Sequence, residues 1–292
     1  MAIELRSSGG RAVILPEYGG RLHQLFVAVD GREEPLLFSP EDPAGYAAHP
    51  TRGGSFPMAP WPNRVSGSAF PWAGKVVTVP SEGKPHANHG RVFNQPWEVV
   101  ARTARVVELT TTFDEGWPWA GRAWQRFEIT PTGLRMKMEV RSECEAFPAG
   151  CGWHPWFRRD VAGAEAVRVT LPATQRYVLH EQIPTGALVL PSGEFDLSGG
   201  PALGDRRLDD CYTGLTAPVE IEWGRVRLRI SIDCPQPHVM VHTPPRAFSI
   251  QPQSCAPDAF NLDARGFSGA GAAIAIPGRP VSIASRWDWE VR

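Results

Sequence analysis

The sequence predicts an all-β protein built as a large antiparallel β-sandwich. Apolar residues recur with a period of two in short segments along the whole chain, and 29 Gly and 29 Pro separate those segments. Such alternation is typical of strands buried on one face, and closely spaced strands joined by Gly/Pro turns are typical of sandwiches and barrels. No long segment carries a helical pattern with caps, so we expect few helices.

The segments of strand length justify this prediction one by one. They are residues 11–15, 22–29, 97–101, 106–113, 124–130, 134–140, 167–171 and 226–232. In 134–140 the apolar residues take alternate positions, while Arg135, Lys137 and Glu139 take the others, which predicts one buried and one solvated face. Pro131-Thr132-Gly133 separates two segments and predicts a hairpin with a three-residue connection.

Composition limits the class of protein. We expect the 292 residues to form a single domain, 1–292, because sandwiches of this size occur as one unit, and 42% hydrophobic residues with 11 Trp can fill a large core. The formal net charge is -1, which gives no field for a nucleic-acid or membrane partner. No apolar run or leader pattern indicates a membrane segment, so we expect a soluble, cytoplasmic protein. The five Cys have no CxxC spacing, which favours thiols over disulfides or a metal site.

Two histidines are candidates for proton transfer. His154 lies between bulky aromatic residues and a proline in the run CGWHPWF, and imidazole is the side chain best suited to exchange a proton near neutral pH. The alternative is a core histidine bonded to a carbonyl group. His89 lies in a polar loop before Gly90, where binding groups often occur, and its alternative is an ordinary surface histidine.

Other polar residues could bind a sugar. Arg64 follows the stiff run PWPN, and its guanidinium offers planar donors to neighbouring hydroxyls, although a structural ion pair is the alternative. Asp209 and Asp210 would point to opposite sides of an extended segment, so we expect them to have different roles. Most Trp should lie in the core, but a tryptophan can also stack on a sugar ring, and the candidates for that role are at 61, 72, 117, 119, 153 and 156.

The order of these motifs resembles that of the aldose 1-epimerase (galactose mutarotase) family from near residue 10 to the C-terminus. The matching segments are 53–54, 60–64, 86–90, 113–118, 154–157, 208–210 and 257–261. The family usually has Glu-Pro where this chain has Gln251-Pro252. The resemblance implies a galactose mutarotase-like supersandwich with an open sugar cleft and no required metal or nucleotide cofactor.

The resemblance also implies roles for individual residues. His154 corresponds to the general acid that protonates the ring oxygen, and His89 to a second histidine beside it. Asn63, Arg64 and Asp209 correspond to ligands of the sugar hydroxyls. Gln251 stands at the position of the glutamate that removes the proton from the anomeric hydroxyl.

Gln251 leaves two functions open. An amide can hold the anomeric hydroxyl but is not a usable proton acceptor, and positioned proton transfer is typically worth about a hundredfold to ten-thousandfold. The chain is therefore expected to be an aldose 1-epimerase with an altered, weak or inactive base, or else a non-catalytic carbohydrate-binding or sugar-sensing protein. A purely structural sandwich would need none of the polar motifs. We expect a small aldose as the partner and a monomer or homodimer as the assembly.

Overall fold

The computed structural model describes residues 1–292 and is almost entirely β-structure. The strands are β1 (Ile3–Arg6), β2 (Gly10–Leu15), β3 (Arg21–Val29), β4 (Arg32–Pro35), β5 (Ser55–Met58), β6 (Arg64–Val65), β7 (Ala69–Trp72), β8 (Lys75–Thr78), β9 (Ala87–Asn88), β10 (Glu98–Arg102), β11 (Val106–Thr112), β12 (Gly121–Thr130), β13 (Gly133–Ser142), β14 (Phe147–Ala149), β15 (Gly152–Pro155), β16 (Phe157–Arg158), β17 (Val167–Thr170), β18 (Ala173–His180), β19 (Ile183–Val189), β20 (Asp209–Leu215), β21 (Val219–Trp223), β22 (Val226–Asp233), β23 (His238–His242), β24 (Ala247–Gln253), β25 (Ala273–Ala275) and β26 (Val281–Val291). The helices are α1 (Gly45–Ala48) and α2 (Ala259–Ala264), with three short 3-10 turns at Pro16–Tyr18, Ser66–Ser68 and Gly193–Phe195. The prediction of an all-β chain with few helices is confirmed.

Two large sheets of antiparallel strands form the sandwich. The first has twelve strands, in the order β1-β2-β3-β5-β15-β24-β23-β20-β18-β19, with β4 beside β3 and β16 beside β24. The second has eight, in the order β10-β11-β12-β13-β26-β22-β21-β17. Three two-stranded sheets, β14-β25, β6-β9 and β7-β8, complete the fold. No helix is both long enough and apolar enough to cross a membrane.

The hairpin of β12 and β13 shows how the sequence pattern becomes structure. Leu134 and Met138 are fully buried, and Arg135 and Lys137 between the apolar residues are exposed, as the alternation predicts. The predicted exposure of Glu139 is wrong, because its carboxylate is buried between Lys137 and Arg141, each at 2.7 Å. The predicted three-residue connection is wrong, however. Gly133 pairs with Thr130, so the ladder continues through the glycine and the turn has only two residues.

The sandwich core is a cluster of 57 buried residues contributed by both sheets. A buried amide crosses it. Gln125, on β12, has no exposed surface and donates from Nε2 to the carbonyl oxygen of Gly20 at 2.6 Å. Its Oε1 lies 3.4 Å from Nε1 of Trp153 on β15, so the amide connects the eight-stranded sheet to the twelve-stranded one.

The strand β24 is buried on both of its faces. Phe248 and Ile250 belong to the core between the sheets. The alternate residues Ser249, Gln251 and Gln253 therefore point to the outer face of the twelve-stranded sheet, since side chains alternate along a strand. Chain segments that fold back over this outer face bury these polar residues as well, and the candidate site lies there.

Candidate functional site

Strand register brings the site residues to one face. β15 and β16 both pair with β24 in a single antiparallel register, which places His154 level with Gln251 on the neighbouring strand. On the other side of β24, His242 of β23 lies opposite Ser249, and Asp209 of β20 lies opposite His242. Four adjacent strands therefore present these side chains on the outer face.

His154 is fixed by aromatic rings and by one hydroxyl. Its ring is stacked between those of Phe56 (centroids 4.6 Å apart) and Trp156 (5.0 Å). Its Nδ1 lies 3.2 Å from Oγ of Ser249, which donates its hydrogen to the carbonyl oxygen of Pro155 at 2.5 Å. Because a hydroxyl has a single hydrogen, Nδ1 of His154 is the donor in its contact with Oγ. The nitrogen left to exchange a proton is Nε2.

Burial sets the charge of both predicted histidines. His154 is 5% exposed, and its pKa lies well below the usual 6.5, chiefly because burial disfavours the charged ring and then because of the nearby His89, His242 and Arg64. Burial, and then the nearby Arg64, Lys84 and His242, lower the pKa of His89 to about 3. Both rings are therefore neutral at neutral pH in the free protein.

His89 is held by a loop that folds back onto the sheet. Its amide donates to the carbonyl oxygen of Asn63 at 2.8 Å, and its ring meets that of His154 edge-on, with centroids 5.2 Å apart. The following Gly90 has φ +73°, and a Cβ there would lie 2.1 Å from the carbonyl oxygen of Ala59, so only glycine fits. The alternative that His89 is a surface histidine is wrong, because it is 8% exposed. Its Nδ1 is buried and has no partner in the protein.

Arg64 and Asn63 lie on the same segment. Nη1 of Arg64 donates to Oδ1 of Asn63 at 3.1 Å. Burial lowers the pKa of Arg64, and the charge of Asp209 partly offsets that effect. Asp258 anchors the segment, with its amide donating to the carbonyl oxygen of Arg64 and its carboxylate accepting from the amide of Ser66. The acid nearest to Gln251 in the sequence therefore has a structural role.

Gln251 is 2% exposed. Its Oε1 accepts a hydrogen bond from Nε2 of Gln253 at 3.1 Å. The amide NH₂ is consequently the group that Gln251 can offer to a ligand, and this group is a donor.

The two adjacent aspartates point in opposite directions, as expected for an extended segment. Asp210 forms an ion pair with Arg176 at 2.7 Å and is nearly buried. Asp209 is 28% exposed at its side chain, and its Oδ2 accepts from Nε2 of Gln182 at 2.7 Å. Only Asp209 therefore faces the site.

Among the predicted tryptophans, Trp156 reaches the site. Trp61, Trp117 and Trp153 are buried in the core. Trp156 is partly exposed, and its ring also meets the edge of His242, with centroids 5.7 Å apart. It therefore packs against both His154 and His242.

His242 belongs to the site and was missed by sequence reasoning. Its Nδ1 lies 3.4 Å from Oδ1 of Asp209, and its side chain is 34% exposed, more than any other histidine of the cluster. The sequence HVMVH does predict that His242 and Met240 share a face. Its place beside Asp209 depends on the pairing of β20 with β23, which local sequence does not encode.

Arg21 supports the site from below and was also missed. It is 1% exposed, and burial lowers its pKa to about 10. Its guanidinium group lies 3.9 Å from the ring centroid of Tyr46 and donates to four backbone carbonyls, those of Tyr18 (2.8 Å), Pro50 (2.6 Å), Gly53 (3.3 Å) and Phe93 (3.2 Å). These contacts join distant parts of the chain beside Phe56, whose ring centroid lies 5.7 Å from the guanidinium.

Two further features delimit the site. A cavity of about 380 Å³ opens beside His89, with Thr51, Arg52 and Lys84 in its lining, but it does not reach His154 or Gln251. The structure contains no group of three or more His, Cys, Asp or Glu side chains that could hold a metal ion.

Comparison with known proteins gives one family match and several similar folds. The family described as aldose 1-epimerase matches residues 1–271. A galactose mutarotase-like protein from Clostridium acetobutylicum has a TM-score of 0.86 at 19% identity, covering 100% of this chain and 95% of that one. The GalM/aldose epimerase homologue from C. elegans has a TM-score of 0.85 at 18% identity, covering 100% and 99%. "Uncharacterized protein YphB" of Escherichia coli K12 is 28% identical over 160 residues, which are 54% of this chain and about half (52%) of that relative.

Proposed function

Because the chain belongs to the aldose 1-epimerase family, we propose that it binds an aldose on the outer face of the twelve-stranded sheet and interconverts the α and β anomers. The observation that carries the proposal is the placement of His154 level with Gln251, with its Nδ1 occupied by Ser249 and its Nε2 left for the substrate.

His154 is neutral in the free protein and carries its hydrogen on Nδ1, so the proposed reaction begins when Nε2 takes up a proton from water and the ring becomes an imidazolium. Nε2 then donates that proton to the ring oxygen O5. The C1–O5 bond breaks, the anomeric hydroxyl O1 loses its proton, and C1 becomes an aldehyde. Rotation about C1–C2 and reclosure give the other anomer. The NH₂ group of Gln251 can donate to O1 and stabilise the charge that develops there, as oxyanion-hole donors do.

The rim of the cleft supplies recognition in this proposal. Arg64 and Asn63 offer donors and an acceptor to vicinal hydroxyls, and Asp209 accepts from a hydroxyl. Trp156 offers an exposed aromatic surface to the sugar ring.

A second candidate function is aldose binding without catalysis. The amide at Gln251 favours it, because an amide cannot take the O1 proton. Binding and recognition would then use the same residues.

Polarimetry on freshly dissolved α-glucose and α-galactose tests the first proposal against the second. We expect the unmodified protein to accelerate anomer exchange. His154→Gln should lower the catalysed exchange rate by about a hundredfold or more. Calorimetry should still detect aldose binding by this variant. Binding with no acceleration by the unmodified protein would favour the non-catalytic function.

A further inference from the structure

The proposed reaction needs a proton acceptor at O1 that Gln251 does not provide. The acids near the site are committed to other groups. Asp209 accepts from Nε2 of Gln182 at 2.7 Å and lies 3.4 Å from Nδ1 of His242. Asp258 binds the amide of Ser66 and the side chain of Asn261, and Asp210 is paired with Arg176 on the opposite face. An acceptor must therefore come from a different residue type.

We propose that His242 accepts the O1 proton and that Asp209 orients its ring. This assignment rests on the epimerase function proposed above. Nothing in the family match or in the sequence motifs points to His242, and the assignment comes from the contacts of β20, β23 and β24.

Strand geometry places His242 opposite the acid. His154 and His242 lie on the two strands that flank β24, and both meet Ser249, one through a hydrogen bond and the other as its cross-strand partner. Two strand spacings of about 4.8 Å and an offset of two residues, about 6.8 Å along the strands, separate them by about 12 Å at the backbone. Their side chains share the face that carries Gln251, so a sugar placed over Gln251 lies between an acid on one side and an imidazole on the other.

The surroundings of His242 suit a base. Oδ1 of Asp209 lies 3.4 Å from Nδ1, which is an ion-pair distance without the alignment of a hydrogen bond, and that nitrogen is otherwise buried without a partner. A carboxylate at Nδ1 favours the tautomer whose Nε2 lone pair is free, and it stabilises the imidazolium formed when Nε2 takes a proton. Such contacts are often long in a free enzyme and tighten with substrate.

The proton balance of the step is complete. The O1–H proton moves to Nε2 of His242 while O5 takes the proton that Nε2 carries in the His154 imidazolium. The electron pair of the O1–H bond forms the second C–O bond, and the pair of the broken C1–O5 bond forms the O5–H bond. The step leaves His154 neutral and His242 as the imidazolium. The NH₂ group of Gln251 donates to O1 throughout. Reclosure returns the proton from O5 to His154 and the proton from His242 to O1.

A double-mutant cycle tests the assignment. His242→Gln should lower the catalysed exchange rate by about a hundredfold or more while aldose binding persists. Gln251→Glu restores a carboxylate at the family's position, so it should recover about a hundredfold or more in the His242→Gln background and change the rate by less than about tenfold in the unmodified protein. Distortion of the cleft by His242→Gln would not be repaired by a carboxylate on another strand.

Two further variants complete the design. His180→Gln, at an exposed histidine of β18, is the matched control and should leave the rate unchanged. Asp209→Asn keeps the imidazole of His242 and should lower the rate of anomer exchange. This variant tests the same assignment if His242→Gln does not fold. An active protein whose rate survives His242→Gln, or equal gains from Gln251→Glu in both backgrounds, would overturn the role of His242 and leave the epimerase function standing. An unmodified protein that binds aldoses without accelerating exchange would overturn both.

Discussion

Burial of His89 makes the stability of the protein depend on pH by an amount that can be worked out. Its pKa falls from 6.5 to about 3, mainly because of burial and then because of the nearby Arg64, Lys84 and His242. The unfolded chain takes up a proton below about pH 6.5, whereas the folded one does so only near pH 3, so the contribution is complete above pH 6.5 and is lost as the pH falls towards 3. At about pH 4.5 the loss covers two pH units of about 1.36 kcal/mol each, or about 2.7 kcal/mol.

Urea denaturation of His89→Gln measures this contribution. The glutamine does not titrate. On going from about pH 7.5 to about pH 4.5, the decrease in the free energy of unfolding should therefore be smaller in the variant than in the unmodified protein, by about 2.7 kcal/mol. His49→Gln, at an exposed histidine, should leave the pH dependence unchanged. The same pH dependence in the unmodified protein and His89→Gln would refute the reasoning, because His89 would then titrate in the folded state as it does in water.

Two predictions concern residues that hold the site in place. Arg21→Met removes the donor of four backbone carbonyls and should lower the free energy of unfolding by about 3 kcal/mol in urea denaturation at neutral pH; no change would mean that those carbonyls find other donors. Gly90→Ala forces a Cβ to within 2.1 Å of the carbonyl oxygen of Ala59, so it should displace His89 and lower the rate of anomer exchange by about a hundredfold with an unchanged circular dichroism spectrum. Gly83→Ala is the matched control, because Gly83 also has a positive φ (+77°) but nothing within 4 Å of its Cβ position, and an equal effect there would contradict the steric argument.

The fold could be predicted because its signals are local. The alternation in 134–140 determines which side chains of β13 are buried, whatever the strand pairs with. The predicted turn before it is one residue too long, because a glycine is as typical of a turn as of a strand end, and only its pairing with Thr130 decides between the two.

The site could be predicted only in part. The order of motifs predicts roles for His154, His89 and Gln251, and the structure places the two histidines in contact and Gln251 level with His154. His242 and Arg21 carry no motif. The place of His242 depends on the register between strands that are distant in the chain. The role of Arg21 depends on carbonyl groups in segments for which the sequence pattern predicts no regular structure.

The amide of Gln125 has a mechanical consequence for the site. Contact between apolar faces is non-directional, so two sheets held by it alone could slide past each other with little change in buried area. A slide by one residue would take Gln125 away from Gly20 and Trp153, and each buried polar group left without a partner costs about 1 to 3 kcal/mol. Trp153 directly precedes His154 on β15, so this crosslink keeps the histidine's strand aligned with the opposite layer of the sandwich. A hydrogen bond at 2.9 Å from Nε1 of Trp223 on β21 to the carbonyl oxygen of Arg158 on β16 acts in the same direction.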